Sequence, residues 1–149
     1  MAVSVPTDIN SELLGAGGIV APAQAPGNID GPWIDRTGFE SASAIGMLGT
    51  ATGGPATQSL KLQVFDADDN SGTNSAALKP DGVNAVASVT GATGNGQMTQ
   101  LGVKFQNCRK WVKVRGVYAN SGGATPKNDV AVALVLGGAR ETPTAGPNP

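Results

Sequence analysis

Glycine and proline set the first limit on what this chain can fold into. It carries 22 Gly and 10 Pro among 149 residues, roughly a fifth of the whole, against about 12% in average usage. An interior Gly costs a helix about 1 kcal/mol and an interior Pro about 3 relative to Ala, so helical bundles and coiled coils are excluded. The 40% apolar content is too high for a disordered chain. Much of it is Ala and Val, which bury little area per residue, so the sequence predicts a modest core that leans on partners. The length fits one ordinary domain.

Charge and nucleophile content remove several function classes. Ten basic against eleven acidic residues leave a net charge of −1, far from the basic footprint that phosphate neutralisation requires. The one basic cluster, Arg109, Lys110, Lys113 and Arg115, alternates with Trp111, Val112 and Val114 and reads as a polar strand face or subunit contact. The chain has no His and one Cys, which rules out a Ser-His-Asp triad, a Cys-His pair and an intrachain disulfide. Cys108 therefore reads as structural. No stretch approaches the roughly 18 to 20 apolar residues of a membrane span. The opening Met1-Ala2-Val3-Ser4-Val5-Pro6 has no basic segment ahead of an apolar run. The expectation is a protein made in the cytoplasm and not inserted in a membrane.

Along the chain, residues 1–32 read as an extended N-terminal arm, either a free tail or a strap across a neighbouring subunit. It holds one short helix candidate, Asp8–Leu14, with Asp8 as cap and Gly15 as stop. From Trp33 the pattern becomes short strands between turn-rich loops: Phe39–Leu48, Gln58–Val64, Val83–Val89, Met98–Phe105, Lys110–Tyr118 and Asp129–Leu136. Gln58–Val64 alternates cleanly, with Leu60, Leu62 and Val64 opposite Ser59, Lys61 and Gln63, as a half-buried strand does. The nearly continuous Val, Ala and Leu run of Asp129–Leu136 suits a central strand buried on both faces. About six strands without a long helix predict an all-β domain over 33–140, an antiparallel β-sandwich or jelly roll. A Pro-rich tail follows at 141–149.

Candidate sites are few. Asp66, Asp68 and Asn70 have the D-x-D-x-N spacing of oxygen ligands, but Ser71 and Ala77 stand where an EF-hand loop needs Gly and Glu. A hairpin turn with exposed carboxylates is the expectation, with no metal and no cofactor. The Gly-rich stretches lack the phosphate-cradle pattern. Trp33 and Trp111 read as core or interface anchors rather than carbohydrate platforms. Interface candidates are Ile9, Leu13, Leu14, Ile19 and Val20 in the arm, with Trp33, Trp111 and Arg115 in the domain.

Four segments carry a family resemblance: Trp33–Ser41 (WIDRTGFES), Leu60–Asp69 (LKLQVFDADD), Arg109–Arg115 (RKWVKVR) and Val135–Arg140 (VLGGAR) with Pro143. They resemble, in order, the D-x-T-G-[FY]-E-S, L-Q-x-S-D-D, [KR]-[YW]-[VL]-[RK]-V and L-G-x-x-R segments of small tailed-bacteriophage virion proteins. The resemblance spans about residues 33–143. It departs at Val64 and Phe65, which stand between Gln63 and Asp66 where the family more often has one variable residue and Ser. What the resemblance implies is a non-enzymatic capsid decoration, or cement, protein of β-sandwich type. Such a protein is made in the bacterial host cytoplasm and resides on the virion, on the outer face of the major capsid protein lattice. The implied partners are the major capsid protein and other copies of the chain, as dimer or trimer, with no nucleic acid and no membrane. A tail component is also compatible. The competing class is an adhesin-type module binding a host receptor or glycan, with Trp33, Trp111 or Tyr118 as the stacking surface.

Overall fold

The structure is a computed structural model and describes residues 16–79, 86–91 and 96–139. The helix expected at Asp8–Leu14, the tail at 141–149 and the first residues of the strand expected at Val83–Val89 lie outside these segments. The described chain forms ten strands: β1 (Ala16–Gln24), β2 (Gly27–Asp30), β3 (Ile34–Asp35), β4 (Phe39–Thr52), β5 (Thr57–Ala67), β6 (Ala76–Ala77), β7 (Val86–Gly91), β8 (Gln97–Lys104), β9 (Trp111–Ser121) and β10 (Lys127–Ala139). All pairings are antiparallel.

The first sheet has the order β1-β10-β4-β8. In the second, β9 and β5 are central, β2 and β3 lie along one edge, and β6 and β7 along the other. The chain changes sheet from β1 to β2, from β3 to β4, from β4 to β5, from β7 to β8, and again at β9 and β10. That order is the eight-stranded jelly roll, with β3 and β6 as short additions. The all-β sandwich expected from turn spacing is the observed fold.

The sheets meet through the period-two pattern of their strands. Leu60, Leu62 and Val64 of β5 and Val112, Val114 and Tyr118 of β9 are buried against Ala42, Ala44 and Leu48 of β4 and Val130, Val132, Leu134 and Leu136 of β10. Each buried Leu contributes about 1.5–3 kcal/mol. At two inward positions on the central strands β4 and β9 there is no side chain. A Cβ at Gly46 would stand 2.8 Å from Leu62 Cδ2 and 2.9 Å from Leu60 Cδ2, and one at Gly116 would stand 2.7 Å from Val132 Cγ1. The large side chains of one sheet thus fill notches left by glycine in the other, which is how a chain poor in aromatics closes its core.

Residues 16–30 correct the boundary of the expected arm. They are strands of the sandwich: β1 pairs with β10 from Ala16↔Val135 to Gln24↔Asn128, and β2 pairs with β9. Their Gly and Pro content disguised this. Gly17 is buried where a Cβ would meet Pro32 Cγ at 2.9 Å, and a register shift between Ala21 and Gln24 breaks the alternation.

Filling a notch tests the packing. Gly116→Val should destabilise the domain by about 1–3 kcal/mol through overpacking against Val132. Gly102→Ala, on a strand position open to solvent, should change stability by less than about 0.5 kcal/mol. Urea unfolding of both variants checks the difference.

Candidate interaction surface

The outer faces of the two sheets are chemically opposite. On the second sheet, the basic run of β9 projects outward and is neutralised by carboxylates from other segments. Asp30 of β2 accepts from Arg115 Nε at 2.5 Å and Nη2 at 2.9 Å, and from Lys113 Nζ at 3.0 Å. These bonds, Arg115 foremost, hold the Asp30 carboxyl below its ordinary value, and Asp30 in return raises Arg115. Lys110 pairs with Asp35 at 3.2 Å.

The same cations cover the aromatic rings. Lys113 Nζ lies 4.7 Å from the centre of Trp33, Arg115 lies 4.5 Å from Phe65, and Lys110 lies 5.7 Å from Trp111. Trp33 also packs on the turn at Gly72, where a Cβ would come within 3.1 Å of the ring. Trp33, Trp111 and Arg115, three of the expected interface residues, are thus each engaged within their own chain, Trp33 by Lys113, Trp111 by Lys110 and Arg115 by Asp30 and Phe65. Tyr118, the third ring weighed as a stacking surface, is 1% exposed in the core.

The D-x-D-x-N turn is built differently from the expectation of exposed carboxylates. Asp66 is buried: its Oδ2 accepts from Arg109 N at 2.9 Å, and its Oδ1 pairs with the Arg109 guanidinium at 3.5 Å. Asp68 pairs with Arg109 Nε at 3.1 Å and accepts from Asn74 Nδ2 at 2.7 Å. Asp69 accepts from Ser71 N, Thr73 N and Thr73 Oγ1, which lowers its pKa. The carboxylates pin loops; among the described residues no group of three or more His, Cys, Asp or Glu side chains is placed to hold a metal ion.

Arg36 fixes the same end of the sandwich, donating to the carbonyls of Arg109 (2.8 Å) and Cys108 and lying 5.5 Å from the Phe105 ring centre. It lines an open pocket of about 420 Å³ with Glu40, Ser41, Lys104 and Phe105. Cys108 is buried beside it, and burial together with the Asp66 carboxylate pushes its thiol up to about 12. A thiol so protonated is no nucleophile at neutral pH.

The outer face of the first sheet is apolar. The register lines up Val20–Ala131–Met47–Met98, then Gly18–Ala133–Ile45–Gln100, then Val135–Ser43–Gly102. No charged residue interrupts these rows. Val20 is 72% exposed, Met98 65% and Met47 52%. A shallow trough of about 200 Å³ runs between β1, β10 and β4, floored by Ala131 and Ala133 and flanked by Val20, Ile45 and Met47. Val20, an interface candidate from the sequence, stands exposed on this face. Ile19, 39% exposed, pairs with inward Val132 at the open edge of the sheet. Ile9, Leu13 and Leu14 lie outside the described residues. Sequence reasoning missed Ile45, Met47 and Met98. The signal for them was β10: its unbroken apolar run was read as buried on both faces, yet Ala131, Ala133 and Val135 remain half-exposed on the outer one.

No protein-family model matches the chain, and no curated protein sequence matches it significantly. Among solved structures, the PBSX exported protein XepA superposes with a TM-score of 0.52 at 15% identity, over 90% of this chain and 41% of XepA. The chain thus spans less than half the length of that protein, and the likeness is one of fold. The SPBc2 prophage-derived protein YomS (TM-score 0.35, 10% identity, 81% of this chain and 93% of that one) and a protein of infectious bursal disease virus strain Gt (0.45, 15%, 83% and 30%) fall below the level that supports an argument.

Two measurements test the site chemistry. Asp30→Asn should cost about 1 kcal/mol at pH 7, a figure that allows for solvent screening of the pair. Because the folded carboxyl titrates below its ordinary value of 3.8, the contribution is full above that pH and lost as pH falls below it, so wild type and variant should converge in acid. Cys108 should resist maleimide labelling at pH 8 in the native protein and react at once in denaturant.

Proposed function

We propose that the chain is a non-enzymatic structural protein of a bacteriophage virion, a decoration or cement protein that binds the outer surface of the major capsid lattice and stabilises the head. The observation that carries this reading is the uncharged apolar outer face of the first sheet, the mark of a chain that works within an assembly of protein copies rather than alone. Contiguous apolar surface of this kind marks contact with another macromolecule, and a flat sheet face suits a protein surface better than a small ligand, which needs a concave site.

Three further features support the reading. The segments over residues 33–143 resemble small tailed-phage virion proteins. The fold is shared with the PBSX exported protein XepA. The basic run that nucleic-acid binding would need is neutralised within the chain by Asp30, Asp35, Asp66 and Asp68. The alternative, a tail or adhesin-type module gripping a glycan, has less support, since the rings of Trp33, Phe65 and Trp111 are covered by cations and Tyr118 is buried. A decoration protein resides on the virion after synthesis in the host cytoplasm. It gains stability there by mass action, because the lattice binds only its folded form.

Adding the purified protein to capsids that lack it should give saturable occupancy and raise the temperature at which the shells rupture. Binding to host cells or glycans with no occupancy of capsids would overturn the proposal.

A further inference from the structure

The outer face of the first sheet raises the question of what covers it, and its own residues give an answer. Along each of three strands, a position and the one four residues away differ in size in a matched way: Met47 against Ser43 on β4, Met98 against Gly102 on β8, Ala131 against Val135 on β10. Register aligns Ala131, Met47 and Met98 in one row and Val135, Ser43 and Gly102 in another. Midway between them runs the row Gly18–Ala133–Ile45–Gln100.

A two-fold axis lying in the face along this middle row carries each outer row onto the other. In a second copy so placed, Met47 meets Ser43, Met98 meets Gly102, and Ala131 meets Val135. In the two outer rows each larger side chain thus finds a smaller one across the axis, while Ile45 and Gln100 of the middle row meet their own copies. Two sheets with the same twist pack in this aligned manner in β-sandwiches generally. The face suits contact with itself electrostatically as well, since these three rows hold no charge to repel their own image. Its polar groups are already paired, Gln100 Nε2 donating to Ser43 Oγ at 2.7 Å.

We infer that this face is the interface of a symmetric dimer of the chain, two first sheets packed face to face about that axis. The inference rests on the reading of the face as protein-covered and names the cover as a second copy. It leaves the second sheet and the loop-bearing ends of each copy for the shell. Size sets the expected strength. Four strands about 4.8 Å apart and about eight residues at 3.3 Å, a span that takes in Lys104 at its border, give about 500 Å² per copy. The two copies together then bury about 1,000 Å², the lower bound for a specific interface, which points to a reversible dimer of modest affinity.

Sedimentation equilibrium of the full chain over a concentration series is the test. The expected result is a monomer–dimer equilibrium that Met47→Lys weakens at least tenfold. Adding Ser43→Glu to Met47→Lys should restore much of the association, because the two-fold sets each new carboxylate across from the partner's new ammonium. Within one chain those two positions are about 13 Å apart, too far to pair. Circular dichroism and the melting of dilute monomer should be unchanged in both variants, as the Met47 side chain is outside the core. A chain that stays monomeric throughout, a trimer, or a dimer indifferent to Met47→Lys would each overturn the inference. A monomer that still occupies capsids would do so while leaving the virion role intact. A dimer of the expected kind that ignores capsids would do the reverse.

Discussion

The distance between the two sheets is fixed by leucines entering glycine notches, and most of the molecule follows from it. Leu60 and Leu62 project from β5 toward Gly46 of β4, while Val132 of β10 projects toward Gly116 of β9. Interiors are close-packed, so a sandwich whose buried aromatics are few, Tyr118 and Phe105, must bring its backbones closer or leave voids. Glycine at the inward positions permits the closer approach. The core is thin in the sense of sheet separation, yet Leu48, Leu60, Leu62, Leu134 and Leu136 are all essentially excluded from solvent. What composition suggested was weakness is a packing solution with small residues on one side and branched residues on the other.

A second constraint acts at one end of the sandwich. Arg36 and Arg109 tie together the connections before β4, after β5 and before β9 through backbone carbonyls and buried or half-buried carboxylates. The segments by which the chain resembles phage virion proteins fall largely here. Asp35 Oδ1 accepts from Thr37 N at 2.8 Å and Thr37 Oγ1 at 2.6 Å, the turn that opens β4. Asp66 and Arg109 meet across the β5 and β9 entries. These segments build turns, so they report fold more directly than they report a binding surface.

That distinction explains what was legible in the sequence. Strands with clean alternation, such as β5, and the all-β class followed from hydrophobic period and turn residues. β1 and β2 did not, because Gly17 and Gly18 satisfy close backbone approach rather than pattern, and the shift after Ala21 breaks the period. Asp66 looked like part of an exposed turn because sequence spacing cannot reveal an arginine 43 residues away that closes over it. Trp33, Trp111 and Arg115 were singled out as contact residues, but the Lys113 cation over Trp33 and the Asp30 carboxylate that binds Arg115 come from elsewhere in the chain and were not legible. The apolar outer face was written plainly in β10, whose Val130–Leu136 run has more hydrophobic character than a single buried face requires.

The neutralisation of the β9 cations within the chain also governs how the molecule meets others. Lys110, Lys113 and Arg115 each have a counter-ion a few ångströms away, and the formal sum over the whole chain is −1. The field therefore fades over a short distance and offers no long-range pull toward a charged partner. Encounters proceed at the unsteered rate, about 10⁵–10⁶ M⁻¹s⁻¹, with little dependence on ionic strength. Occupancy of any lattice is then set by how slowly the protein leaves, through the surface it buries there, rather than by how fast it arrives.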